Sequence, residues 1–188
     1  LRSIPISSKL LAVSALAVGV AALLAACSTS KEDKLAPMPV VESVDVAKYF
    51  GTWYEQAVIP FYFERNCERT TATYSANSDG KTIRVDNVCY RNGVKHESVG
   101  KAFPDPEDTE HTNAKLKVEF SSTLDVQANY WIVRLDKDYT YSVISSPNYN
   151  YLWILYREPH MPAALFQSLY QDLQNDGFPV EKLRKTVQ

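Results

Sequence analysis

Between residues 53 and 157 the apolar side chains repeat with a period of two, and that alternation limits what this chain can become. It is cleanest in Ala114 to Phe120, where Leu116, Val118 and Phe120 alternate with Lys115, Lys117 and Glu119. An extended segment of that pattern has one dry face and one wet face. Similar runs span Trp53 to Ile59, Cys67 to Ala76, Thr82 to Arg91, Val94 to Phe103, Tyr130 to Leu135, Tyr139 to Ser145 and Tyr151 to Arg157. Asn77-Ser78-Asp79-Gly80 and Asn92-Gly93 are hairpin turns between them. Eight antiparallel strands in up-and-down order predict an all-β barrel, because closure alone removes both sheet edges.

A period near 3.6 occurs once, in Pro162 to Asp176, where Leu165, Phe166, Leu169, Tyr170 and Leu173 share a stripe and Gly177 supplies a stop. One C-terminal helix packed outside the barrel wall is expected, with Phe178 to Val180 as a short last strand.

The first residues read as an address. Arg2 and Lys9 precede the uncharged apolar run Leu10 to Leu24, too short for a membrane span and typical of a signal peptide. Leu24-Ala25-Ala26-Cys27 resembles a bacterial lipobox, in which Cys27 takes a diacylglyceryl group and becomes the mature N-terminus. Residues 1–26 are therefore expected to be a signal peptide. Residues 27–39, polar and broken by prolines, suit a flexible tether, leaving 40–188 as the folded domain. Ser28, where inner-membrane retention would show Asp, places the anchor in the outer membrane, facing the periplasm.

A net charge of -2 provides no basic field for a phosphate backbone, so nucleic acid is not expected as a partner. Six glycines and three histidines are too few for phosphate loops or a His-dense metal centre. His96, His111 and His160 fall on separate elements, so solvated side chains are expected, with no metal, no cofactor and no catalytic residue. Asp105, Glu107, Asp108 and Glu110 share one loop and read as a solvated rim near the cavity mouth. Cys67 and Cys89 lie almost symmetrically about the Asp79-Gly80 turn, which sets the thiols opposite one another and predicts a cross-strand disulfide of roughly 3 kcal/mol.

Gly51-Thr52-Trp53-Tyr54-Glu55, after Val44-Asp45-Val46-Ala47-Lys48-Tyr49-Phe50, resembles the opening of the lipocalins. Leu135-Asp136-Lys137-Asp138-Tyr139 matches the second motif of that family, and Arg157 its last. The stretch from Tyr151 to Arg157, followed by Pro159 and the helix, is similar to the bacterial outer-membrane and apolipoprotein D-like branches. The resemblance implies an eight-stranded lipocalin barrel in which Gly51, Trp53 and Arg157 close the narrow end, with the Arg157 guanidinium over the Trp53 indole. It also implies a cavity for a small hydrophobic ligand. With strand parity it points to Trp153 and Tyr130 as wall residues, then Phe120, Val118, Tyr141 and Phe103, with Phe61, Tyr62 and Phe63 shaping the mouth.

The expected function is binding of fatty acids, lysophospholipids or similar amphiphiles by a membrane-anchored cup, for envelope lipid storage, transport or repair. Two alternatives stay open, an enzyme using the pocket through a free cysteine and a partner-binding protein whose cavity is filled by side chains. Homodimer formation is also left open.

Overall fold

In the computed structural model, residues 38–61, 64–120 and 127–188 are described. Residues 1–26, most of the tether, Tyr62 and Phe63 lie outside them. Met38, among the first described residues, is buried with the outer core residues.

Asp45 starts the first helical turn, α1 (Val46–Tyr49), by accepting hydrogen bonds from the Ala47 and Lys48 amides at 3.0 and 3.3 Å. Gly51 then opens β1 (Gly51–Ile59) at a φ of 99°, a left-handed turn that other residues resist. A Cβ there would also stand 3.2 Å from Arg157 Nη1. Seven strands follow: β2 (Glu68–Ala76), β3 (Ile83–Arg91), β4 (Val94–Pro104), β5 (Lys115–Phe120), β6 (Gln127–Leu135), β7 (Tyr141–Ser145) and β8 (Leu152–Tyr156). Each is antiparallel to its neighbours in sequence, and β1 pairs with both β8 and β2, closing the ring.

That last seam is only partly zipped. β1 pairs with β2 over Gly51–Tyr54 and with β8 over Tyr54–Ile59, with a bulge in the β8 ladder between Glu55 and Ala57. Where β1 leaves β2, the chain end takes over the unpaired edge: β9 (Arg184–Lys185) pairs with Ala57 and Val58, and the Arg69 amide donates to the Val187 carbonyl at 2.6 Å. The last strand therefore lies later than Phe178 to Val180. Phe178 and Val180 instead bury their side chains outside the wall, and Val180–Lys182 is a single 3-10 turn.

Alternation sorts the apolar residues into two bodies. Inside, Trp53, Tyr74, Val85, Leu116, Ile132 and Leu155 pack toward the closed end. Outside, Trp131, Val133, Val143, Leu152 and Ile154 meet Leu169 and Leu173 of α2 (Ala163–Asn175), so the helix covers the wall as its stripe requires.

Arg157 locks the closed end. Its guanidinium carbon lies 3.8 Å from the centre of the fully buried Trp53 ring. Its nitrogens donate to Lys48 O at 2.7 Å, Tyr139 O at 3.1 Å, and Thr52 O and Tyr49 O at 3.3 Å. Trp53 Nε1 donates to Tyr49 O at 2.9 Å, tying the same turn from within. A planar, permanently charged group with five N–H donors can serve a ring face and four carbonyls together, which an ammonium cannot. We expect Arg157→Lys to cost roughly 1–2 kcal/mol and Arg157→Ala roughly 2–4 kcal/mol of unfolding free energy. Urea midpoints with unchanged slopes would check this, and equal stability of the Ala variant would refute it.

Candidate functional site

The barrel interior above Trp53 is a cavity of about 440 Å³. That size suits one small ligand. Tyr74, Val85 and Tyr130 form its lower part, Val118, Phe120, Trp153 and Leu155 its apolar wall, and Phe61 stands at the mouth. Phe61 stacks on Tyr151 with ring centres 3.6 Å apart and leans on Trp153 at 5.6 Å. Phe120 reaches inward because β4 carries no side chain opposite it: a Cβ on Gly100 would meet the Phe120 ring at 2.9 Å.

Four of the residues singled out from sequence, Val118, Phe120, Tyr130 and Trp153, thus line one cavity. Two others do not. Phe103 pairs with Lys117 in register, while the inward position beside Val118 belongs to Ala102. Tyr141 packs with the outer cluster under α2, and its neighbour Ser142 turns inward. β7 carries apolar side chains on both faces, so its alternation could not say which was which. Phe63 lies outside the described residues.

Cys67 and Cys89 form a disulfide beside the mouth, with Cα atoms 5.4 Å apart. The acidic loop sits at the opposite end from where the sequence put it, and two of its carboxylates are buried. Asp105 accepts from Trp131 Nε1 at 3.2 Å, and Asp108 accepts from the Thr112 hydroxyl at 2.6 Å and the Asn113 amide at 2.8 Å. They hold the closed-end loop in shape. His96 is exposed at the rim, and His111 and His160 are exposed elsewhere.

A family model described as a lipocalin-like domain matches residues 44–188. The chain belongs to the lipocalin family. It is similar to temperature-induced lipocalin-1 of Arabidopsis thaliana, 37% identical over 158 residues, which cover 80% of this chain and 83% of that one. It is 35% identical over 162 residues to the outer membrane lipoprotein Blc of Escherichia coli K12, covering 85% and 87% of the two chains. Insecticyanin from Manduca sexta shares the fold with a TM-score of 0.67 at 21% identity, over 81% of this chain and 85% of that one.

This lipocalin carries two acids in its cavity that the sequence reading passed over. Glu55 is on β1, two residues beyond Trp53 and so on the same inward face, and it is only 4% exposed. Parity with Trp53 was the available signal, masked because Glu55 reads as part of the closure motif. Glu64 follows the mouth loop and accepts from the Phe61 amide at 3.0 Å and from the Trp153 indole. Burial pushes the Glu55 carboxyl up to about 7, against the hydrogen bond from the Thr186 hydroxyl; the charge of Glu64 adds to the rise and Arg184 opposes it. Burial likewise raises Glu64.

Lower down, three phenols form a directed chain. Tyr49 donates to Ser142 Oγ at 2.9 Å, which leaves it only an acceptor toward Tyr130, 2.8 Å away. Tyr130 has then spent its proton, so Tyr74, also 2.8 Å from it, is the donor of that pair. The Tyr74 oxygen, on the cavity wall, is left with acceptor capacity alone. Burial pushes Tyr49 up to about 12 and Tyr74 and Tyr130 well above the usual phenol range, so the chain is neutral at physiological pH.

A carboxyl raised by folding binds its proton more tightly in the native state, so it stabilises the fold fully below the ordinary glutamate range and loses that contribution as pH rises through about 7. We expect stability to fall by up to about 3 kcal/mol between pH 5 and 8, with Glu55→Gln flattening the profile. Urea unfolding at a series of pH values would check this; an equally steep profile in the variant would exclude Glu55 as its source.

Proposed function

We propose that this lipocalin is an outer-membrane lipoprotein, held at the periplasmic face through acylated Cys27, that binds fatty acids, lysophospholipids or similar amphiphiles for envelope lipid storage, transport or repair. The observation that carries the reading is the apolar-walled cavity of about 440 Å³ opening between Phe61 and the Cys67–Cys89 disulfide. An interior of that size argues against a barrel filled by its own side chains. The disulfide argues against the thiol-enzyme alternative, since both barrel cysteines are tied up. Burying an acyl chain of ~16 carbons gives on the order of 10 kcal/mol gross, much of it offset by association and chain-ordering costs. Micromolar to nanomolar binding is the expected range. The similarity to an outer membrane lipoprotein supports the location, and a tethered cup would meet bilayer lipids at high effective concentration.

Native mass spectrometry of the chain purified from a bacterial envelope should find about one fatty acid or lysophospholipid per barrel; an empty protein that also refuses offered lipid would sink the reading. Trp153→Ala should weaken uptake of a C16 fatty acid at least tenfold while moving the melting temperature only a few degrees. A variant that binds as the parent does would remove Trp153 from the ligand wall.

A further inference from the structure

The cavity wall is mostly apolar; its polar groups include two carboxyls, Glu55 and Glu64, and one buried unpartnered donor, Arg91 Nε. Glu55 and Glu64 come from different elements and turn into the same space. Glu55 Oε1 accepts from the Thr186 hydroxyl, and its second oxygen has no hydrogen-bond partner among the described residues, although the side chain is more than nine-tenths buried. The Tyr74 oxygen on the same wall has only acceptor capacity to offer. Thr70, also on the wall, leaves its hydroxyl unpartnered, able to donate or to accept.

Charge points the same way. Arg184 of β9 is the cation felt by both carboxyls, yet its Nη1 donates to the Cys67 carbonyl at 3.2 Å and its Nε and Nη2 meet no acceptor. When both carboxyls ionise, Arg184 is the one guanidinium acting on the two of them, a costly state unless a proton or a cation joins it. A ligand ammonium is donor-only, with three N–H groups for oxygens that can only accept. A carboxylate or phosphate head at this depth would meet like charge.

We propose that Glu55 and Glu64 form a subsite inside the barrel for the ammonium group of a long-chain primary amine, making a cationic amphiphile a ligand of this protein. The proposal rests on the reading of the cavity as a lipid-binding cup and specifies which head group enters it. Anionic heads stay at the rim, where Arg91 of β3 and His96 of β4 stand. The raised Glu55 carboxyl makes uptake pH-dependent, since the proton and the ammonium compete for the same oxygens. The charged groups around the subsite are Glu64 from the mouth turn, Arg184 from β9, Arg91 from β3, and His96 and Glu97 from β4.

The test compares hexadecylamine, hexadecanol and palmitate, three probes with the same tail, by quenching of tryptophan fluorescence in the purified chain at pH 5.5 and pH 8. Hexadecylamine should bind at least tenfold tighter than hexadecanol at pH 8, and that ratio should shrink to about threefold or less at pH 5.5. Glu55→Gln, with Glu64→Gln as a second variant, should erase the pH 8 preference while hexadecanol binding persists, which also shows that the barrel still folds. An amine bound no tighter than the alcohol at pH 8, or a preference that survives both substitutions, would overturn the ammonium subsite while leaving the lipid cup intact. Uptake of none of the three tails would overturn both.

Discussion

The stack of Arg157 on Trp53 is the contact on which the remaining geometry depends. A barrel needs one end sealed before it can hold a cavity at the other, and here a single guanidinium gathers the carbonyls of Lys48, Tyr49, Thr52 and Tyr139 around a buried indole. These carbonyls come from the entry turn, the first strand and the turn before β7, segments far apart in sequence. Without a donor of that shape, several carbonyls would face one another with no shared partner. Gly51 belongs to the same device, since its left-handed turn and missing side chain leave room for the Arg157 nitrogens.

With the floor fixed, strand parity decides what each residue does, and parity is where the sequence was most and least legible. Where one face is charged, as in β5, the inward set is unambiguous, and Val118 and Phe120 could be read directly. Where both faces are apolar, as in β7, nothing local distinguishes Tyr141, which supports α2, from Ser142, which points inward to receive the Tyr49 hydroxyl. β4 misleads for a different reason. Large side chains invite assignment to the interior, but Gly100 and Ala102 hold the inward positions because Phe120 needs the space above them. A wall residue can be small because its neighbour is large, and that complementarity is a property of pairs of strands.

The disulfide and the buried acids show the same contrast. Symmetry about a turn is a one-dimensional property, so the pairing of Cys67 with Cys89 could be argued from numbering alone. Parity with Trp53 could put Glu55 on the inward face, but not show how a carboxyl is accommodated there. That depends on a bulge after the residue, on Thr186 arriving from the far end of the chain, and on Glu64 folding back from the mouth. The acidic loop failed in the opposite sense: four carboxylates look solvated in sequence, yet Asp105 and Asp108 are buried because local amides, a hydroxyl and an indole N–H satisfy them. Hydrogen-bond supply, which composition does not reveal, separates a structural carboxylate from a solvated one.

The unzipped upper half of the β1–β2 seam ties these features together. Full pairing there would have brought β2 against β1 and left no place for β9. Because the strands part after Tyr54, the chain end enters between them, Gln188 bridges the Glu55 and Thr70 carbonyls at 2.6 and 2.9 Å, and the Thr186 hydroxyl reaches the Glu55 side chain. The wall is thus completed by a segment whose polar groups serve both the backbone edge and the buried carboxyl. Antiparallel edges are ordinarily protected by charge or by a bulge; here β1 parts from β2 after Tyr54 and the C-terminal segment occupies the edge it leaves. The closed end is held by one cation and many carbonyls. The open end is held by a disulfide, a borrowed strand and a buried acid whose carboxyl the chain end helps to satisfy.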